Sequence, residues 1–470
     1  MDNKVRAFFA GLKKKKVIVV GIGVSNTGVI RQMAAAGAEV TACDRRSREQ
    51  LGDICSSLEA LGVTLRLGED YLDQLDADII IRTPGLSFYK PQLQAAMARG
   101  VAVTSEMEIF FDLCPCPIIG ITGSDGKTTT TTLIAEMLTR QGKKVHLGGN
   151  IGRALLPIVG EIGRGDYAVV ELSSFQLMSM RRGPQTAVIL NVTPNHLDVH
   201  KNMEEYIAAK ENLIIHQNAF SRAVLGADNE ITAAMADKVR GEALCFSRRT
   251  PQTAGAYTDA EGNIWMAYRG QTTKVMHTGD IKIPGSHNVE NYLAAITALW
   301  GVVEPAVMRQ VAQSFEGVEH RIEFIRELDG VRWYNDSIAT SPTRTMAGLG
   351  CFSQKIVLIA GGYDKKIPFA PMAPRILDKV KVLVTLGQTA AKIEEAVTGA
   401  AGYDPAVLKI IRAESMEDAV LKARAAAEAG DVVSLSPACA SFDMYPNFEA
   451  RGRHFKELVN LLSPVQQNHN

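Results

Sequence analysis

The stretch Gly120-Ile-Thr-Gly-Ser-Asp-Gly-Lys-Thr-Thr-Thr-Thr-Thr132 constrains this chain more than any other. Ile118, Ile119 and Ile121 make a short apolar run, and Gly123 to Gly126 make a loop. The threonines then open a helix whose Leu133, Ile134, Met137 and Leu138 share one face, closed by Gly142. Strand, glycine loop and helix N-terminus in that order form the join of a parallel α/β sheet. The same order makes an anion cradle, because bare backbone N–H groups and the positive helix end face a polyphosphate. Gly123 and Gly126 leave no Cβ in the way, Lys127 can reach the outer phosphates, and Thr128 offers a hydroxyl to Mg²⁺. A strict phosphate loop has glycine where this chain has Ile121, so a glycine turn that binds nothing is the competing reading. ATP is the expected ligand.

The rest of the 470 residues repeats the alternation of strand and helix, and about three domains of ordinary size are expected. We place them at 1–114, 115–318 and 319–470. Residues 17–44 open as βαβ: Val17–Val20, a turn at Gly21-Ile-Gly23, a helix stripe of Val29, Ile30 and Met33, then Val40–Cys43. Asp44 lies about twenty residues beyond Gly23, where a dinucleotide fold sets a carboxylate on a ribose. The third glycine of that fingerprint is replaced by Asn26, with Gly28 following, so helix and strand must pack differently. A nicotinamide-dependent oxidoreductase is the rival reading of this opening. Arg45 and Arg46 suggest either an added anionic group or a solvated loop pair. Ile79–Ile81 runs to Thr83-Pro-Gly85, a sharp turn at the sheet's carboxyl edge. Cys114-Pro-Cys-Pro117 breaks the pattern, and two sulfurs make a poor metal site without partners.

In the central part, Gly148-Gly-Asn-Ile-Gly152 reads as a flexible loop able to approach a ligand. Tyr167–Val170 is a buried strand that delivers Glu171, either a Mg²⁺ ligand or a salt-bridged strand end. The run from Asn191 to His200 holds His196, Asp198 and His200 without the spacing of a zinc hydrolase. Residues 203–214 form a helix that turns Lys210 inward with Tyr206, Ile207 and Ile214. An inward lysine must be paired, neutral or modified. Short strands are expected over 240–285. Asn288 and Asn291 share one face at the next helix start, to grip a base or ribose or to cap the helix. In the last third, strands at Val331–Tyr334, Ile356–Ala360, Val382–Thr385 and Val432–Ser434 alternate with helices, with polar clusters at their carboxyl ends.

Composition then excludes several classes. Formal net charge is zero, which argues against nucleic acid or an anionic membrane as main partner. No apolar run approaches the length of a membrane span, and Val17–Val20 is too short for a secretory signal. Seven cysteines without a C-x-x-C pair suggest reduced thiols in a cytoplasmic protein.

Gly-Ser-Asp-Gly-Lys-Thr-Thr, Glu-Leu-Ser-Ser-Phe-Gln-Leu, Gly-Ser-His-Asn-x-x-Asn, Glu-His-Arg, Asn-Asp-Ser and Ser-Pro-Ala-Cys-Ala-Ser-Phe-Asp recur in this order. With them the chain resembles the Mur ligase family, in its D-glutamate-adding branch, over essentially its whole length. The last motif, with Asn447-Phe-Glu-x-Arg-Gly452, is the most specific part. The resemblance implies an N-terminal Rossmann-like domain for a UDP-linked substrate, a central P-loop ATPase domain and a C-terminal Rossmann-like domain for an amino acid. It implies a reaction of peptidoglycan precursor synthesis. ATP phosphorylates the carboxylate of UDP-N-acetylmuramoyl-L-alanine, and the amine of D-glutamate displaces phosphate.

Residue by residue, the resemblance implies ATP contacts at Gly123, Ser124, Asp125, Gly126, Lys127, Thr128, Thr129, Asn288, Asn291, Arg321 and Asp336. It implies contacts to the UDP-substrate at Ser25, Asp44, Arg45, Thr83, Gly85 and Asn150, and to D-glutamate at Thr340, Lys365, Ser441, Phe442 and Phe448. Thr128 and Glu171 would hold one Mg²⁺; His196 and a carbamylated Lys210 would hold a second. Lys127, His196 and Lys210 are thereby implied as catalytic, in a monomer. The chain departs from the family pattern at Ile338, where many members carry lysine, and at Asn195, where an acid is common.

Overall fold

The computed structural model describes residues 2–194 and 200–464. The chain divides into two compact units, Met1–Ile281 with His287–Ser314, and Lys282–Ser286 with Phe315–Asn470.

In the first unit, β1 (Lys16–Val20), β2 (Glu39–Asp44), β3 (Thr64–Leu67), β4 (Ile79–Arg82) and β5 (Ala102–Ser105) form an all-parallel sheet. Its order is β3-β2-β1-β4-β5, so the winding reverses beside β1, where an open α/β sheet leaves a crevice. A run such as Val17-Ile-Val-Val20 suits this place because helices cover both faces and every side chain is buried. The missing third glycine is explained by Asn26. Its Nδ2 donates to the carbonyls of Val20 (3.1 Å) and Gly21 (3.0 Å), stapling the helix Val24–Ala35 to the end of β1. Gly28 then faces Pro157 so closely that a Cβ would lie 2.9 Å from its ring.

The second sheet of this unit is also parallel. It contains β6 (Ile118–Thr122), β7 (Val145–Gly149), β8 (Tyr167–Glu171), β9 (Thr186–Ile189), β10 (Arg222–Gly226) and β11 (Glu242–Phe246), ordered β11-β10-β9-β6-β8-β7. The central strand β6 is buried throughout and leads into the glycine loop. One apolar cluster joins the two sheets through Val29, Met33, Phe110, Leu155, Val159 and Leu177. Cys116 belongs to that cluster, so the Cys-Pro-Cys-Pro stretch is packed rather than loose. A small antiparallel sheet follows, of β12 (Gly255–Thr258), β13 (Asn263–Tyr268) and β14 (Gln271–His277). Its tight turn uses Arg269 and Gly270 at φ of 50° and 76°, the pairing that a two-residue hairpin favours.

The second unit holds β15 (Glu323–Leu328), β16 (Val331–Asn335), β17 (Ile356–Gly361), β18 (Val380–Leu386), β19 (Lys409–Arg412) and β20 (Val432–Leu435), in the order β15-β16-β20-β17-β18-β19. All pairs are parallel except β15 with β16. The polar clusters after β16, β17 and β20 therefore meet at one edge of this sheet, as the alternation predicted.

Among the described residues, no helix is long and apolar enough to cross a membrane.

Candidate active site

The glycine loop bridges β6 and the helix Lys127–Arg140. Gly126 caps that helix at φ 79°, and a Cβ there would lie 2.3 Å from Asn291 Oδ1. Only glycine lets Asn291 sit against the loop. Asn291 Oδ1 accepts from Thr130 Oγ1 (3.1 Å), and its Nδ2 donates to Asn288 Oδ1 (3.0 Å). The two asparagines of the helix Ser286–Leu299 thus pair with each other and bear on the phosphate loop. Lys127 Nζ bends over the loop to donate to the carbonyls of Gly123 (3.0 Å) and Ser124 (2.9 Å). The Asp125 N–H donates to Asn191 Oδ1 (2.9 Å), and the Ser124 hydroxyl lies 3.0 Å from that of Tyr206. Thr128 and Thr129 lie in the first turn of the helix.

Glu171 ends β8 beside Ile121 of β6 and is 1% exposed. Its Oε1 accepts from Asn150 Nδ2 (2.8 Å), while Oε2 has no hydrogen-bond partner. A buried carboxylate oxygen left bare is costly unless a cation takes it, so the site fits a divalent ion. Gly148 and Gly149 correct the reading of their segment as a flexible ligand-facing loop. Cβ atoms there would strike Arg153 O at 2.5 Å and Glu171 O at 2.2 Å, so both glycines admit the chain's own backbone. Asn150 is held in the same way, its N–H donating to Glu171 O (2.8 Å).

Lys210 points inward as its helical position predicted and is 1% exposed. Its Nζ donates to Gly123 O (2.9 Å) and Thr122 Oγ1 (3.4 Å) and stands 4.6 Å over the Tyr206 ring. Burial, with the charge of Lys127, holds this amine well below the ordinary lysine range. His196 and Asn195 lie outside the described residues. His200 is buried, stacked on Phe175 and 2.9 Å from Ser174 Oγ.

At the crevice of the first sheet, the Thr83 N–H donates to Val20 O (3.0 Å), and Gly21 at φ 93° leaves room for the Thr83 side chain. Asp44 accepts from the Ile22 N–H (2.7 Å) and from Arg46, so its carboxylate shapes the turn. Arg45 is exposed beside Glu69, and Gly85 has open space around it. Ser25 lies in the first turn of the helix Val24–Ala35, and its side chain is outside what is described.

Sequence reasoning missed Arg82. This fully buried guanidinium donates to the carbonyls of Leu86 (3.0 Å) and Phe175 (3.1 Å) and to Ser179 Oγ (2.6 Å). It ties the Thr83-Pro-Gly85 turn to the segment after Glu171. A charge closing the apolar run Ile79-Ile-Ile was the available signal.

In the second unit, Asp336 is buried and accepts from Ser436 Oγ (2.7 Å) and the Ile322 N–H (3.3 Å). Burial pushes its carboxyl up to about 7, against the pull of Ser436 and Arg321. Lys365 Nζ donates to Thr340 O (3.1 Å), bringing two of the expected D-glutamate residues together. Ser441 is buried, Phe442 is exposed against Tyr363, and Phe448 meets the His320 ring edge-on. At Ile338, Arg344 Nη1 donates to the backbone carbonyl (3.2 Å) and supplies a cation nearby. Arg451 joins the clusters: it donates to both Ser337 oxygens and to the carbonyls of Cys439 and Ala440.

Family models match three successive stretches: the MurD-like N-terminal domain at 15–105, the Mur ligase middle domain at 121–299, and the glutamate ligase domain of Mur ligases at 320–439. The UDP-N-acetylmuramoylalanine--D-glutamate ligase of Acetivibrio thermocellus is 50% identical over 98% of this chain and 99% of its own length. The chain belongs to the Mur ligase family. The Clostridium acetobutylicum protein of the same name is 47% identical over 98% of this Mur ligase and 100% of its own length. Among solved structures, the UDP-N-acetylmuramate-alanine ligase MurC of Thermotoga maritima shares the fold, with a TM-score of 0.57 at 19% identity over 95% and 99% of the two chains. MurF of Acinetobacter baumannii does so at 0.56 and 16%, over 96% and 92%.

Proposed function

We propose that this Mur ligase joins D-glutamate to UDP-N-acetylmuramoyl-L-alanine at the expense of ATP, in the cytoplasm and as a monomer. Three parts, 1–114, 115–318 and 319–470, would bring the nucleotide-linked acid, the ATP and the amino acid. A carboxylate is a poor acyl donor because oxide would have to leave; phosphorylation supplies a good leaving group. Gly123 to Thr129 would cradle the phosphates, with Lys127 turning from the loop carbonyls to the outer phosphate. Mg²⁺ would neutralise phosphate charge when bound, held by Thr128 and Glu171. Asn150 would orient Glu171, and Asn288 and Asn291 would shape the nucleotide side of the loop. Arg321 and Asp336 would complete the ATP contacts, while Ser25, Asp44, Arg45, Thr83, Gly85 and Asn150 would contact the UDP-linked substrate. Thr340, Lys365, Ser441, Phe442 and Phe448 would surround D-glutamate, whose carboxylates need a cation and N–H or O–H donors.

Lys210 has the chemistry for carbamylation. Burial favours loss of the ammonium proton; the free amine can then attack CO₂ at carbon, lose a further proton and become an anion, which with His196 would suit a second Mg²⁺. What carries the proposal is the bare, buried Oε2 of Glu171 set beside a phosphate loop. The test is phosphate release with UDP-N-acetylmuramoyl-L-alanine across a panel of D- and L-amino acids. Release with D-glutamate, abolished by Lys127→Ala and Glu171→Gln, is expected. No nucleotide consumption with all three substrates present would end the proposal, and release only with another amino acid would end the assignment to D-glutamate.

A further inference from the structure

We propose that Cys114 and Cys116 form a reversible redox site, a dithiol that a peroxide closes to a disulfide. Cys114 ends the helix Glu106–Leu113, its N–H donating to Phe110 O (2.8 Å). Pro115 follows, and the chain places the two Sγ atoms 3.5 Å apart. Cys114 is partly exposed while Cys116 is 3% exposed, so Cys114 is the more accessible of the pair to a small oxidant and has the second sulfur within reach.

The remaining cysteines offer no such arrangement. Burial pushes the thiols of Cys43, Cys351 and Cys439 up to about 11, keeping them protonated and unreactive at neutral pH. The two thiols lie within hydrogen-bond reach of each other, and this contact holds Cys114 below the ordinary thiol range and, with burial, Cys116 above it.

The step balances. The Cys114 thiolate attacks one oxygen of hydrogen peroxide, the O–O bond breaks, and the departing hydroxide takes a proton to become water. Cys116, giving up its own proton, displaces hydroxide from the Cys114 sulfenic acid and forms the S–S bond. Two thiols and one peroxide yield one disulfide and two waters, with two electrons passing from sulfur to oxygen. A ring this short is strained and readily reduced, which suits a reversible site rather than a structural bridge. The position gives it reach. Cys116 lies two residues before β6, which leads into the phosphate loop, and the preceding helix is anchored by Glu106 to the Leu156 N–H (2.9 Å) and by Glu108 to the Arg181 N–H (2.9 Å).

The experiment treats the full chain with hydrogen peroxide at neutral pH, alkylates it in denaturant and maps the labels by mass spectrometry. We expect the segment holding both cysteines to lose both labels and two hydrogen atoms in mass, and to regain both thiols with dithiothreitol. In Cys116→Ser, dimedone should trap a sulfenic acid on Cys114; in Cys114→Ser, Cys116 should stay alkylatable. Retention of both labels in the wild type, or direct conversion of Cys114 to sulfinic acid, would overturn the proposal.

Discussion

Gly126→Ala separates two costs that the phosphate loop combines. At φ 79° an alanine pays about 1–2 kcal/mol for the left-handed backbone. Its Cβ would also stand 2.3 Å from Asn291 Oδ1, far inside contact, so Asn291 must withdraw. Withdrawal breaks the bond from Thr130 Oγ1, whose residue is fully buried, and an unsatisfied buried hydroxyl costs about 1–3 kcal/mol. The sum is about 2–5 kcal/mol. Gly270→Ala is the control. It has nearly the same φ, 76°, but nothing lies within 4 Å of the added Cβ, so it carries the backbone cost alone. Urea unfolding of both variants, followed by circular dichroism, should show Gly126→Ala lower by about 1–3 kcal/mol than Gly270→Ala. ATP binding, measured by calorimetry, should survive only in the Gly270 variant. Equal destabilisation would refute the seating of Asn291 against Gly126.

Lys210 titrates below its unfolded value, so the unfolded chain binds a proton that the folded chain refuses. The penalty is full below the folded pKa and vanishes above about 10.4, so stability rises with pH across that window. In carbonate-free buffer, Lys210→Met should therefore gain stability relative to wild type as pH falls from about 10 toward 7; a difference that does not change with pH contradicts the lowered pKa. Asp336 runs the other way. With a folded carboxyl near 7 and an unfolded one near 3.9, its contribution falls as pH rises between those values, and Asp336→Asn should remove that fall from the urea midpoints. An unchanged pH slope would count against burial as the cause. Arg451→Lys replaces a fork that serves Ser337, Cys439 and Ala440 with a single point charge, and should cost about 2–4 kcal/mol in the second unit. A wild-type midpoint would show that those carbonyls do not depend on the guanidinium.

Much of the fold was readable from local pattern. Ile118 to Leu138 carry strand, loop and helix in contiguous residues, so the spacing alone specifies the join. The same holds for Val17 to Asp44 and for β17, β18 and β20 of the second unit, whose apolar runs are buried on both faces. The inward face of Lys210 also followed from helical periodicity. Ordered motifs identified the family because they compress many such local requirements into short strings.

What tertiary structure alone decided lies between segments far apart in the chain. Asn291 fills the space that Gly126 leaves, Asn150 holds one oxygen of Glu171, and Arg82 reaches Phe175 and Ser179. Gly148 and Gly149, read as a ligand-facing loop, instead admit Arg153 and Glu171 backbone. No periodicity encodes these pairings, because each depends on which strand lies beside which. Burial likewise raises Asp336 and lowers Lys210 only once the surrounding elements have excluded water. Sequence prescribes the elements through short-range sterics and hydrophobic period; long-range packing sets the desolvation and hydrogen bonding that give a side chain its chemistry.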